Sequence, residues 1–376
     1  MTTAHKGGHA ALVDDLYERG LLTDAWRDVW LAVPREDFLP HQIWRQGPTG
    51  CEPITTEGDR LALAHSDEPV IIQLDDGHTD GPGIATSSNS QPSMVAKMLG
   101  LLSIQTGHRV LEIGTASGFV AALLCKRLGD RRVYSVELDP ALAGHAQRAL
   151  RAAGYLPHLA CSDGAWGWPD TDPFDRVIAT CALRDVPHAL VRQVRPGGHI
   201  VAPIHRDFWT GAVVKLDVVG LVAAGRFRTP ASYMPMRAHR TPAGASVDDS
   251  TAREASIGDV EPREVLNHGF ALYAGTRLPG VRMWHSESDD GVQVWAQDGD
   301  GSAATAATGG EVRQYGPRDL WEEIAQAHVE YIELGAPELD RFGLSVSAEG
   351  QRIWLDHPAR VIEPAPRPER APHPAG

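Results

Sequence analysis

The sequence predicts an α/β fold: a doubly wound, largely parallel sheet flanked by helices, with a smaller α+β unit behind it. Three observations predict it. Val110, Leu111 and Ile113 make a short apolar run that reads as a buried strand. Gly114 and Gly118 bracket a tight turn, and Phe119 to Leu128 then has helical periodicity and no breaker. A second apolar segment, Arg132 to Val136, ends in Glu137, which completes one nucleotide-binding βαβ unit.

The remaining elements follow in order. Residues from about Ala11 to Ala32 read as two helices interrupted at Gly20 and stopped by Pro34, with Phe38-Leu39-Pro40 as an anchored turn. Gln42 to Gly83 is rich in Gly, Pro, Asp and Thr, which predicts loops and short strands. Within it Asp76, His78, Asp80 and Gly81 resemble a calcium loop, but Ser87 stands where its glutamate belongs, so a polar surface loop is the reading taken. Met94, Val95, Met98, Leu99 and Leu102 mark an amphipathic helix, with Ser90 as its N-cap beside Pro92. Beyond Pro140 come a helix to Ala153, a strand Leu156 to Cys161, and the turn Ser162-Asp163-Gly164. Phe174 to Thr180 is a fourth strand. Val186 to Val194 reads as a helix stopped by Pro196-Gly197-Gly198, and His199 to Pro203 as the next strand. Val213 to Val222 and Phe227 to Met234 complete the sheet.

Thr241 to Glu261 looks like a linker. Val265 to Ala274 and Val292 to Gln297 look like strands, Leu320 to Leu334 like a helix, and Phe342 to Leu355 like a hairpin. The prolines from Glu363 onward predict a disordered tail.

Composition bounds the function. A net charge of -14 argues against nonspecific binding to nucleic acid or an anionic membrane. Cys51, Cys125, Cys161 and Cys181 form no C-x-x-C pair and have no histidines at metal spacing, so buried free thiols in a reducing cytoplasm, and no metal, are expected. The N-terminus has no apolar core for a signal peptide, and no run reaches membrane-spanning length.

The glycine loop narrows the ligand. Its glycines stand as G-x-x-x-G rather than G-x-G-x-x-G, and Phe119 and Val120 replace the Lys-Ser/Thr pair of a phosphate loop. Glu112 would repel a pyrophosphate but suits a ligand carrying an ammonium and a sulfonium. Glu137 lies where an acid accepts from both ribose hydroxyls. These features favour S-adenosylmethionine over other nucleotides, with a glycine turn of some other α/β protein as the alternative. Asp163, just after a strand, is placed to accept from the adenine amino group.

Seven segments in order, LAVPREDFLP, SQPSMVAKML, RVLEIGTASG, VYSVELDP, SDGAWGW, PFDRVIAT and VRPGGHIVAPI, resemble the protein L-isoaspartyl O-methyltransferases. The resemblance covers residues 11 to about 238. It implies a Rossmann-like class I methyltransferase domain over 1–238, with 239–376 as an α+β extension, and S-adenosylmethionine as methyl donor. It implies Ser90 as the hydroxyl that touches the substrate carboxylate. The cofactor site would comprise Glu112, Gly114, Thr115, Ala116, Ser117 and Gly118 in the loop, Glu137 and Leu138 at the ribose, and Asp163 and Gly164 at the adenine. Ser87, Ser88 and Asn89 would frame the acceptor, with Thr180 over the site and His205 near the sheet edge as a further contact.

Three departures stand out. Ala116 occupies the place of a usual third glycine, IATSSN (Ile84 to Asn89) replaces a usual G-x-G-Q-T-I, and a long extension follows where a repair enzyme would end, near Met236 to Ala238. The long form, including RFGLSVSAEGQRIWLD, resembles the methyltransferases that accompany lasso and ATP-grasp-ligated ribosomal peptides. That implies esterification of an ordinary aspartate in a constrained, cyclised ribosomal peptide, leading to aspartimide, which can open to isoaspartate. Repair of isoaspartyl residues in damaged proteins is the alternative enzyme reading. A non-catalytic cofactor-binding module is the alternative from another class.

Overall fold

Two short helices, α1 (Gly8–Glu18) and α2 (Asp24–Leu31), open the chain in the computed structural model, which describes residues 8–366 except 243, 257, 259 and 290. They bury Leu12, Leu16 and Trp30, and the Trp30 ring meets Phe119 edge-on at 5.4 Å. A small antiparallel sheet follows, built from β1 (Trp44–Gln46), β2 (Cys51–Pro53), β3 (Val70–Leu74) and β4 (Ala85–Asn89) in the order β2-β1-β3-β4. Between β2 and β3 lies a helix, α3 (Glu57–Ala64), where the sequence predicted only loops and strands. Its start is legible in retrospect: Thr56 Oγ1 accepts from Asp59 N at 3.1 Å. The next helix, α4 (Pro92–Leu102), begins one residue later than expected. Pro92 fits the first turn, so Gln91 takes the cap position without a side-chain bond, and the Ser90 hydroxyl is left free of that role.

The central unit runs β5 (Val110–Ile113), α5 (Phe119–Leu128), β6 (Val133–Glu137), α6 (Pro140–Ala152), β7 (His158–Cys161), β8 (Phe174–Ala179), α7 (His188–Arg192) and β9 (Val194–Arg206). These five strands are parallel, in the order β7-β6-β5-β8-β9, so the winding reverses between β5 and β8. The expected helix from Val186 to Val194 shrinks to α7, because Val194 already pairs with Phe174 and the glycine stop rides inside β9 as an irregularity. β10 (Trp209–Val219) and β11 (Val222–Pro230) continue the sheet antiparallel.

The C-terminal third adds β12 (Arg253–Ala255), α8 (His268–Arg277), the meander β13 (Arg282–Ser288), β14 (Gly291–Gln297), β15 (Ala303–Ala307) and β16 (Val312–Tyr315), then α9 (Leu320–Glu333), β17 (Phe342–Ser347) and β18 (Gly350–Leu355). The segment Val265 to Ala274, read as a strand, is largely α8. Asn267 caps it by accepting from Phe270 N at 3.0 Å, and every residue from Gly269 to Gly275 is buried. A helix apolar all round has no periodicity to separate it from a buried strand. The expected linker holds β12, which pairs with β16.

β17 pairs with β11, so the main sheet reads β18-β17-β11-β10-β9-β8-β5-β6-β7. One apolar cluster runs from Ile113 and Phe227 to Phe270, Tyr331 and Phe342, so the last third packs as part of the same core. In the tail expected to be disordered, Ala365 N donates to Arg277 O at 2.7 Å and Glu363 O accepts from the Arg277 guanidinium at 2.6 Å. Residues 367–376 of that tail, and 1–7 where a signal peptide was considered, lie outside the described residues.

Among the described residues no helix is long and apolar enough to cross a membrane, and no group of three or more His, Cys, Asp or Glu side chains could hold a metal ion. The four cysteines are free, but only Cys125 is buried, and Cys161 is exposed, contrary to the expectation of buried thiols throughout. Cys161 closes β7, the strand at the sheet edge, where solvent reaches it.

Candidate functional site

The carboxyl ends of β5, β6, β7 and β8 meet along one edge, and a cavity of about 1030 Å³ opens there, at the point where the winding reverses. Gly114 leaves β5 with φ +96°, and a Cβ on it would meet Thr180 Oγ1 at 3.0 Å, so glycine is required on both counts. Ala116 also sits in left-handed space, at φ +47°, with a side chain. Its N–H donates to Glu137 Oε2 at 2.8 Å, and Asp139 N donates to Oε1 at 3.0 Å. Burial raises the Glu137 pKa above its usual value, against the pull of these backbone donors. Each oxygen holds one backbone donor and keeps acceptor capacity for a vicinal diol at the cavity wall. Asp163 Oδ1 accepts from Ala165 N at 2.8 Å, which fixes the turn that brings Gly164 to the wall, while Leu138 supplies an apolar surface. This edge fits an adenosine.

The other end of the cavity is bounded by β4 and by a strap after β11. Ser87, Ser88 and Ser90 line it, and the Ser90 hydroxyl is approached by that of Tyr233. The strap, Ser232 to Arg240, is tied down at Ala182: Ala182 N donates to Met234 O, and Met236 N donates to Ala182 O, both at 2.9 Å. Arg240 grips Asp76 with two bonds of 2.5 and 2.8 Å, and Arg237 bridges Asp76 at 3.0 Å and Asp139 at 3.2 Å. Arg240 is the main reason the Asp76 carboxyl lies below its usual range. The acidic turn that resembled a calcium loop thus anchors the strap.

Of the residues expected at the site, Gly114, Ala116, Glu137, Leu138, Asp163, Gly164, Ser87, Ser88, Ser90 and Thr180 line the cavity. Others stand behind it. Glu112 is fully buried under the loop, its Oε2 accepting from Ser135 Oγ at 2.6 Å and Ser135 Oγ meeting Thr115 Oγ1 at 2.6 Å. Burial pushes the Glu112 carboxyl up to about 8, and its Oε1 has no hydrogen-bond partner among the described residues. Ser117 Oγ accepts from Asn89 Nδ2 at 2.9 Å, so both brace the loop rather than touch a ligand. Gly118 is packed against Leu150 and Ala146, where a Cβ would come within 3.3 Å. Thr180 reaches the wall, but its hydroxyl donates to Gly114 O at 2.6 Å. His205 is buried beside Arg184 and Arg206, held neutral with its pKa near 4 by burial, and does not face the cavity.

Sequence reasoning missed the strap and Arg35. Arg35 is fully buried, and its guanidinium donates to the carbonyls of Ala64 (3.2 Å), Glu68 (2.8 Å), Asn89 (3.0 Å) and Ser90 (3.1 Å). The signal was present in LAVPREDFLP, an arginine between a proline and a buried Phe38.

Residues 59–217 match the family model described as protein-L-isoaspartate(D-aspartate) O-methyltransferase. The chain is 34% identical over 228 residues to protein-L-isoaspartate O-methyltransferase 2 of Anaeromyxobacter sp. (strain Fw109-5), spanning 60% of this chain and 80% of that protein. It is 32% identical over 182 residues to the protein-L-isoaspartate O-methyltransferase of Ignicoccus hospitalis, spanning 48% and 73%. A solved structure named protein-L-isoaspartate O-methyltransferase superposes with a TM-score of 0.55 at 20% identity, covering 93% of this chain and all of that one. That likeness in fold extends into the last third of the chain.

Proposed function

The chain belongs to the protein-L-isoaspartate(D-aspartate) O-methyltransferase family, and from that premise we propose that it esterifies the free carboxylate of an L-isoaspartyl residue in a peptide or protein. It is an S-adenosylmethionine-dependent carboxyl O-methyltransferase; the acceptor is the proposed part. The observation that carries the proposal is one cavity lined by Glu137 at one end and Ser90 at the other.

S-adenosylmethionine, when bound, supplies a methyl group activated by its positive sulfur. An ionised carboxylate needs no general base to attack it. Transfer of that methyl to a carboxylate oxygen would leave a neutral ester. Because opposite charges disappear in this step, the protein's task is alignment without strong solvation of the anion. Ser90 offers one neutral donor. The two arginines on the wall, Arg237 and Arg240, are committed to Asp76 and Asp139 and form no cationic clamp on the acceptor. Glu137 and the turn at Gly114 to Ala116 would hold the donor.

A second reading, esterification of an L-aspartate in a constrained ribosomal peptide with closure to aspartimide, is favoured by the segment Ile84 to Asn89. That segment departs from the family's usual pattern and places Ser87 and Ser88 on the acceptor wall. The test of the main proposal uses Ser90→Ala with an isoaspartyl peptide. Methyl transfer should fall at saturating S-adenosylmethionine while S-adenosylhomocysteine binding persists. Full turnover in that variant would remove Ser90 from the mechanism.

A further inference from the structure

Tyr233 lies in the strap, one residue before the Met234 carbonyl that Ala182 holds. Its ring packs against the apolar cluster that α4 and α5 build, and the residue lines the cavity. Its hydroxyl is buried and faces Ser90, but it meets hydrogen-bond geometry with no group among the described residues. A buried phenol without a partner is costly, about 1–3 kcal/mol, so its retention calls for an acceptor that arrives from outside the chain.

We propose that the Tyr233 hydroxyl is a second donor to the acceptor carboxylate, acting beside Ser90 at the same end of the cavity. The proposal rests on the carboxyl methyl-transfer reading and adds a substrate-binding residue to it. A carboxylate accepts from both hydroxyls at once, whereas a carboxamide presents a single oxygen, so the pair favours an aspartyl-type acid over the corresponding amide. Burial keeps the phenol protonated well above neutral pH, so it donates throughout the range in which the carboxylate is ionised. Two neutral donors orient the anion without a cation that would blunt its attack. No proton changes hands at Tyr233; the residue only holds the nucleophile.

The test is Tyr233→Phe, which keeps the ring and deletes only the unpaired oxygen. With an isoaspartyl peptide, kcat/KM should fall about 10- to 100-fold, the value of a hydrogen bond to a charged acceptor. S-adenosylhomocysteine affinity should be unchanged, and the melting temperature should hold or rise, since an unsatisfied buried hydroxyl is removed. A purely packing role leaves kcat/KM unchanged. The double variant with Ser90→Ala should show non-additive losses, because both residues hold one carboxylate. If the wild type esterifies the peptide and Tyr233→Phe does so within twofold of it, the assignment of Tyr233 is overturned and the methyl-transfer reading stands. If the wild type esterifies no peptide carboxylate, both fall.

Discussion

Arg35 Nε donates to Asn89 Oδ1 at 2.7 Å, and the Asn89 amide passes the contact on to Ser117 Oγ at 2.9 Å. The end of β4, which presents Ser90, is thereby tied to the glycine loop that presents the cofactor edge. Among the described residues no carboxylate bonds Arg35; burial draws its pKa down to about 9, which still leaves it charged at pH 7. Its stabilisation comes from a fan of carbonyls that only a planar guanidinium can satisfy together.

Arg35→Lys should therefore destabilise the protein by about 3 kcal/mol or more, since several buried acceptors lose their donor at once. Denaturant unfolding measures this. In whatever fraction folds, KM for the peptide should rise, because the Ser90 carbonyl is no longer held. A variant as stable as the wild type would contradict the arrangement.

Glu112 gives a pH signature. Its folded pKa, about 8, lies above the unfolded value of 4.5, so the folded state holds the extra proton. Its stabilising contribution is present in full below about pH 4.5 and is lost as pH rises through about 8. Glu112→Gln, which mimics the neutral acid, should remove this loss, so its melting temperature should gain on the wild type between those limits. Parallel pH profiles for the two proteins would show that Glu112 is ionised in the fold.

Glu137→Ala tests the cofactor edge. The variant removes the acceptor of Ala116 N and Asp139 N and any bond to a ribose. With about 1.5–3 kcal/mol at stake for each charged hydrogen bond, S-adenosylhomocysteine should bind at least tenfold more weakly by calorimetry. Unchanged affinity in a folded variant would place the cofactor elsewhere.

Asp76→Asn tests the strap. It breaks the fork from Arg240 and the bridge from Arg237, both at the cavity rim. The expected result is faster release of S-adenosylhomocysteine and a higher peptide KM, with a small change in global stability because the pairs are part-exposed. High salt should move the wild type in the same direction. A variant with wild-type release and KM would make the clamp merely structural.

The central βαβ unit and the turn at Asp163 were legible because apolar strands, glycines and an acid at fixed offsets leave few alternatives in sequence. The placement of Glu112 was not, because a carboxylate at the end of an apolar strand reads alike whether it faces a ligand or the underside of the loop. Ser90 was legible as a hydroxyl before a helix, but its release from the cap depends on Gln91 and Pro92 taking that turn. Tyr233 and the strap were invisible because they reach the site from about fifty residues beyond β8, through the pairing at Ala182. α8 was misread for want of periodicity in a helix buried on all sides.

The acceptor is decided by one measurement: methyl-ester formation, followed by mass spectrometry, on matched peptides that carry the same residue as L-isoaspartate, as L-aspartate in a linear chain, and as L-aspartate in a closed ring. The account predicts esterification of the isoaspartyl peptide well above both others, with loss of methanol from the ester as the imide closes. Esterification of the ring alone, with the isoaspartyl peptide untouched, would contradict it.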